Sequence, residues 1–294
     1  MLNLFKYELK RAFNSKSTYI IMLVFILFTL LPVFANYYTI QSAEDVSYLR
    51  AMQTNSIEDF QREISKDPEK DMTPSKLEAL RKETINKQFS FEENIKHLTG
   101  GSLILIMLTV FVSITATKEY TSGYIKNLLT IKDYRKMMPF AKIFIAIVYA
   151  ILLMIVTIII YSLTSKILTG NLNIDWSKLL TFSGINLLSL TTISAMIILI
   201  ANLSGNITTT SIVSILLVQQ ILIPFFNMFD GLKLLPFKLV DISLINKASN
   251  FTMELADNEM MNYIKEFLPL IAVYFVVYLL LNLTVLNKKD INIG

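Results

Sequence analysis

The sequence predicts an all-α membrane protein, and three observations carry the prediction. First, 53% of the 294 residues are hydrophobic and only 17% are charged, where a soluble domain would have about 25% charged. Second, the apolar residues gather into six runs of roughly 20, the length at which a helix rising about 1.5 Å per residue crosses a ~30 Å hydrocarbon layer. Third, those runs lack the alternation of a membrane barrel strand, so their backbone groups must be satisfied within helices.

Residues 1–17 form a basic amphipathic segment. Leu2, Phe5, Leu9 and Phe13 recur on one helical face, and Lys6, Lys10, Arg11 and Lys16 supply positive charge. Such a helix is expected in the headgroup layer with its apolar face down. A signal peptide fits worse, because the following apolar run is long and no Ala-x-Ala site stands near its end. Residues 18–40 make transmembrane helix 1, which Pro32 is placed to kink; Tyr37 and Tyr38 suit the far interface.

Residues 41–97 are the only long polar region, divided by Pro68 and Pro74. Thr73-Pro74-Ser75 reads as a helix start, with Thr73 as cap and Pro74 at the first position. The region is expected to be an extracellular hairpin of two helices, too small and too polar for a core of its own.

Residues 98–294 carry transmembrane helices 2–6. The second span covers 99–117, and a short polar stretch, 118–130, follows it. The third covers 139–163 and the fourth 179–203. A tight turn at Ser204-Gly205-Asn206 leads into the fifth, 207–229. An outer connection, 230–265, contains a moderately apolar stretch, 239–248, expected to rest on the membrane surface or fold back into it. The sixth span ends near Leu286, before Lys288 and Lys289.

Six spans put both termini on one side. Segments 1–17, 118–142, 204–206 and 287–294 hold twelve basic residues against four acids, while the remainder holds fifteen against nineteen. Because basic residues mark the cytoplasmic side, the termini and the 118–136 segment are expected there.

Several chemistries are excluded. With no cysteine there is no disulfide, thiol nucleophile or iron–sulfur site. A net charge of +4 is too small to indicate nucleic acid. His97, the single histidine, lacks the companions that catalysis or a metal site needs and suits an interfacial position. No Gly-x-x-x-x-Gly-Lys-Ser/Thr motif occurs, so ATP binding by this chain is not expected. No charge occupies the middle of a predicted span, which disfavours coupling to an ion gradient. The reading is therefore not an enzyme, with no metal and no cofactor of its own.

The polar residues in or near the spans are Gln219 and Gln220 ahead of Pro224, with Asn186, Asn202, Asn227 and Asn282. They either line a cargo route or hydrogen-bond helices together, the latter worth ~0.6 kcal/mol on average in membranes. Helix bonding is the favoured reading, with Gln219 and Gln220 the more pore-like pair.

The stretch Glu119-Tyr120-Thr121-Ser122-Gly123-Tyr124-Ile125-Lys126-Asn127-Leu128-Leu129, together with the basic N-terminal helix, six spans and the outer connection before span six, resembles the ABC-2 type permease family. These are membrane subunits of ATP-binding cassette exporters. The resemblance implies an N-terminal elbow helix (Phe5, Lys6, Lys10, Arg11) and a cytoplasmic coupling helix, 118–136, that enters a cleft on a nucleotide-binding subunit. Glu119, Gly123 and Lys126 take its charged and glycine places, with Tyr120, Tyr124 and Asn127 beside them. A glycine permits close backbone approach, and the two charges suit charge-assisted bonds at a desolvating interface.

The resemblance further implies cytosolic ABC ATPase subunits that hold ATP and Mg, and a second permease copy or a related permease. It implies a bacterial plasma membrane with both termini cytoplasmic, and export of an amphipathic cargo such as a peptide toxin, an antimicrobial or a lipid-like molecule. Gln219, Gln220 and Asn186 are the candidate cargo route. The alternative is a non-transporting sensor or scaffold whose outer hairpin binds a ligand.

Overall fold

The computed structural model describes residues 2–43, 46–54, 57–64, 74–95, 103–122, 134–232, 238–253, 255 and 257–288. Every regular element among them is a helix. In chain order these are α1 (Leu2–Phe13), α2 (Lys16–Ser42), α3 (Val46–Ala51), α4 (Ile57–Ile64), α5 (Pro74–Gln88), α6 (Phe91–Ile95) and α7 (Leu103–Thr121). There follow α8 (Tyr134–Thr169), α9 (Trp176–Ser204), α10 (Ile207–Val218), α11 (Ile223–Gly231), α12 (Leu239–Ile242), α13 (Leu244–Asn250) and α14 (Asp257–Lys288). Helices α2, α7, α8, α9 and α14 are long and apolar enough to cross a membrane, and α10 with α11 makes a sixth span if the bent pair counts as one.

The helices run past the apolar runs that predict them. Lys118–Thr121, placed by the sequence in the polar stretch after the second span, form the last turn of α7, and Ser122 N–H continues the pattern by donating to the Lys118 carbonyl at 3.1 Å. Helix α8 starts at Tyr134 rather than Pro139, which therefore lies inside the helix, where it cannot donate the i→i−4 hydrogen bond. Residues 257–265, expected in the outer connection, are the opening turns of α14.

The predicted fifth span is interrupted. Helix α10 ends at Val218, α11 begins at Ile223, and their axes differ by 49°. Pro224 stands in the first turn of α11, where proline is preorganised to begin a helix and not to continue one. Gln220 closes the break with φ +60, a left-handed conformation uncommon for a non-glycine residue.

The chain divides into two compact units. One comprises Met1–Phe25, His97–Ile155 and Ser177–Gly294; the other comprises Ile26–Lys96 and Val156–Trp176.

In the first unit α7 packs along α10. The Phe111 and Tyr149 rings stack with centroids 3.6 Å apart. The 204–206 turn is tight as expected: Gly205 takes φ +64, and the Asn206 side chain caps α10 by accepting from Thr208 and Thr209 N–H. The 239–253 stretch folds back on its neighbours. Asp230 accepts from Leu239 and Val240 N–H at 2.7 and 3.1 Å, Tyr274 OH donates to the Ile242 carbonyl at 3.0 Å, and Phe251 joins Phe182, Tyr263 and Phe267 in one aromatic cluster.

The second unit replaces the expected two-helix hairpin with four short helices, α3–α6. Pro74 opens α5 as predicted, while Thr73 and His97 lie outside the described residues. The polar segment borrows its core from longer helices: Leu49, Ile85 and Phe89 pack with Val33 and Ile40 of α2, with Tyr161 and Leu168 of α8 against them. Side chains then tie it to backbone carbonyls. Arg81 donates twice to Ala43 O, at 2.6 and 3.1 Å, and Lys87 and Gln88 donate to Gln53 O and Met52 O.

Candidate functional site

Four ionised side chains meet inside the first unit. Glu8 and Arg11 lie three residues apart on α1 and so share a helical face. Glu119 stands in the last turn of α7, and Lys142 projects from α8. Arg11 Nη2 lies 2.8 Å from Glu8 Oε2 and 2.7 Å from Glu119 Oε1. Lys142 Nζ lies 3.2 Å from Glu8 Oε2 and 2.8 Å from Glu119 Oε1, and it also donates to the Thr115 carbonyl at 2.9 Å. Tyr134 OH, at the start of α8, donates to Glu119 Oε1 at 3.4 Å. Glu119 is 0% exposed, Glu8 2% and Lys142 3%.

The arrangement is two cations and two anions, each cation touching both anions. In a low-dielectric interior such a set holds only as a whole, since deleting one member leaves an uncompensated buried charge. It therefore fastens three helices at one point: α1, the end of α7 and the beginning of α8.

Glu8 Oε1 and Glu119 Oε2 are buried without hydrogen-bond partners among the described residues. The two carboxyl groups are close enough for one to donate to the other once it carries a proton. Burial pushes the Glu8 carboxyl above its ordinary range; Lys142 opposes the shift and Glu119 adds to it. Glu8 is accordingly the member of the pair that takes a proton more readily.

A second, uncharged thread runs from the same helix end. Tyr120 OH donates to Asn202 Oδ1 at 3.0 Å, Asn202 Nδ2 donates to Asn282 Oδ1 at 2.7 Å, and Asn282 Nδ2 donates to the Ala195 carbonyl at 3.0 Å. It links α7, α9 and α14. Asn202 and Asn282 are thus helix-bonding residues, as favoured from the sequence.

At the α10–α11 break lies a cavity of about 250 Å³, bordered by Leu217, Gln220, Phe226, Ile242, Tyr274 and Tyr278 among others. The Gln220 amide donates to Ser249 Oγ.

The residues singled out from the sequence divide accordingly. Glu119 and Tyr120, expected to face a partner, both turn inward, the first into the charge cluster and the second onto Asn202. Gly123, Tyr124, Lys126 and Asn127 lie outside the described residues. Of the elbow residues, Arg11 belongs to the cluster, Phe5 packs edge-on against Phe144 with centroids 5.1 Å apart, and Lys6 and Lys10 are exposed. Helix α1 buries Glu8 and Ala12, while Phe5, Leu9 and Phe13 are half-buried. Gln220 borders the cavity, Gln219 is exposed, and Asn186 is not among the lining residues. Asn186 is 1% exposed and donates to Phe182 O of its own helix.

Sequence reasoning passed over Glu8 and counted Lys142 only as cytoplasmic charge. The available signal was the lone acid Glu8 amid the basic residues of α1, one turn before Arg11.

The long apolar helices and their interior polar fastenings define a multi-pass helical membrane protein. The chain belongs to the ABC-2 family of transporter proteins: the model of the "ABC-2 family transporter protein" family matches residues 75–226, just over half of the chain. That family is a membrane transport component and implies association with ABC ATPase subunits. No curated protein matches the chain.

Proposed function

We propose that this chain is the permease subunit of an ATP-binding cassette exporter. It moves an amphipathic cargo out across a bacterial plasma membrane, using ATP hydrolysed with Mg on a separate cytosolic subunit. Two copies, or this chain with a related permease, enclose the route, and both termini lie in the cytoplasm.

The observation that carries this reading is the buried charge cluster. The chain leaves α7 at Thr121 and returns at Tyr134, and both edges of that interval are fastened to α1 by Glu119, Lys142, Arg11 and Glu8. A displacement of residues 123–133 by a docked ATPase is then delivered to three helices together. Since a bound partner shifts an equilibrium only by its differential affinity for the two states, each ATPase state must favour one arrangement of these helices. In this reading Gly123, Tyr124, Lys126 and Asn127 touch the ATPase, while Glu119 and Tyr120 transmit from within. Gln220 borders the cargo route.

The test is reconstitution with an ABC ATPase subunit that co-purifies with this chain. ATP-dependent cargo movement and stimulated hydrolysis are expected, with both lost when Gly123→Trp fills the close-approach position. A Gly123→Trp variant that still stimulates hydrolysis fully would remove the coupling role from this segment.

A further inference from the structure

The cavity at the α10–α11 break has a composition that selects a ligand. Nine of its thirteen lining residues are aliphatic side chains, Met or Phe, and none is charged. Of the acids in the neighbouring segments, Asp230 is committed to the Leu239 and Val240 N–H groups and Asp241 is exposed and not among the lining residues. Three of the four polar lining residues are also occupied: Gln220 bonds Ser249, Ser243 caps α13 through Asn246 N–H, and Tyr274 donates to Ile242 O. The fourth, Tyr278, packs at a tilt against Tyr274 with centroids 5.7 Å apart, and its hydroxyl makes no hydrogen bond among the described residues.

Water would find few partners against such walls, and covering their partly exposed apolar surface is favourable. A charged group placed there would lose its hydration with nothing opposite to replace it. A hydrocarbon chain meets neither penalty. The break also supplies a way in: Leu216, Ile221, Leu222 and Phe225 at the bend are exposed, on a segment whose length and composition put it in the bilayer. Gln220 holds φ +60 without being glycine, so the opening is maintained at a conformational cost.

We infer that this cavity binds the hydrocarbon tail of an uncharged amphiphile, with the Tyr278 hydroxyl bonding its one neutral polar group, a hydroxyl or an amide. Tail length is limited by the cavity, and charged head groups are rejected. The inference rests on the membrane-embedded fold and not on ATP coupling; its test contains no ATPase, so either reading can fail alone.

The test uses the purified full-length chain in lipid nanodiscs and a long-chain primary alcohol carrying a diazirine in its tail. Photolabelling is expected to concentrate on the peptides holding Leu217–Phe226 and Leu239–Ile245. Unlabelled alcohol should compete about ten-fold better than an alkyl carboxylate or alkylammonium of equal length. Ile242→Trp, filling the cavity, should abolish this labelling, and Leu217→Phe should reduce it if the tryptophan variant does not fold. Tyr278→Phe should weaken competition by the alcohol several-fold, the loss of one hydrogen bond, and leave competition by a plain alkane unchanged. Labelling spread evenly over the lipid-facing sides of α2 and α14, competition indifferent to charge, or labelling unmoved by a cavity-filling variant that folds would each overturn it.

Discussion

Two interior regions of the first unit use opposite chemistry. At the α1–α7–α8 junction, four charges are packed against one another, three of them with almost no exposure. At the α10–α11 break, a more open cavity has no charge on its walls. The first is a place where separation is costly, because each ion depends on the others. The second is a place where packing is incomplete and nothing electrostatic resists a guest. The contrast teaches that one membrane-embedded body can fix some helices to each other and leave room between others, according to where it spends its few polar residues.

The largest effect that would break this contrast is expected from Glu119→Ala. It leaves Arg11 and Lys142 facing only Glu8, and loss of one partner of a buried ion pair costs about 3–5 kcal/mol. A fall in the thermal unfolding midpoint or in folded yield in detergent checks it. Glu119→Gln, which keeps the shape and one acceptor, should cost less. A Glu119→Ala chain as stable as the natural one would mean that the cluster is not formed.

The uncharged thread should be weaker by comparison. Asn282→Leu removes the bonds to Asn202 and Ala195, and an interhelical bond of this kind is worth about 0.6 to 1.7 kcal/mol in membranes. Equilibrium unfolding in mixed micelles measures it, and a cost equal to that of Glu119→Ala would erase the difference between charged and neutral fastening.

At the break, Gln220→Gly and Gln220→Ala separate backbone from side chain. Both lose the bond to Ser249. Only alanine keeps a Cβ at φ +60, so the glycine variant should be the more stable by about 1 kcal/mol, read from the same unfolding curves.

The smallest effect concerns pH. Glu8 has a raised carboxyl pKa in the fold, owing first to burial. The folded state therefore holds that proton more tightly than the unfolded state. This contribution to stability is present at low pH and is lost as pH rises through the raised value. Glu8→Gln imitates the protonated form permanently. The difference in unfolding midpoint between Glu8→Gln and the natural chain should therefore move in favour of the variant as pH rises beyond the ordinary carboxylate range. A difference independent of pH would place Glu8 elsewhere.

Much of this architecture is legible in the sequence, for identifiable reasons. Continuous apolar runs locate α2, α7, α8, α9 and α14, because lipid leaves the backbone no alternative to a helix. Hydropathy does not locate helix ends. Lys118 and Glu119 read as lying past the second span because they are charged, yet α7 continues through them, with Glu119 neutralised by partners 108 and 23 residues away in sequence, Arg11 and Lys142. The break at Gln219–Leu222 is likewise masked by apolar neighbours, and only Pro224, which opens α11, hints at it. The polar segment 41–97 could be judged unable to build its own core, but not that Val33, Ile40 and Tyr161 would complete it. Pairing across the fold carries no local signal, which is why Glu8 went unremarked while Glu119 and Arg11 stood out.

Glu119 is committed inside the folded chain to Lys142, fastening the end of α7 to α8. A double-mutant cycle on unfolding free energy, with Glu119→Gln, Lys142→Met and the pair together, tests it most directly. A coupling energy of about 1–3 kcal/mol is expected, as for residues sharing one ion-pair network. Costs that simply add, within about 0.3 kcal/mol, would contradict it.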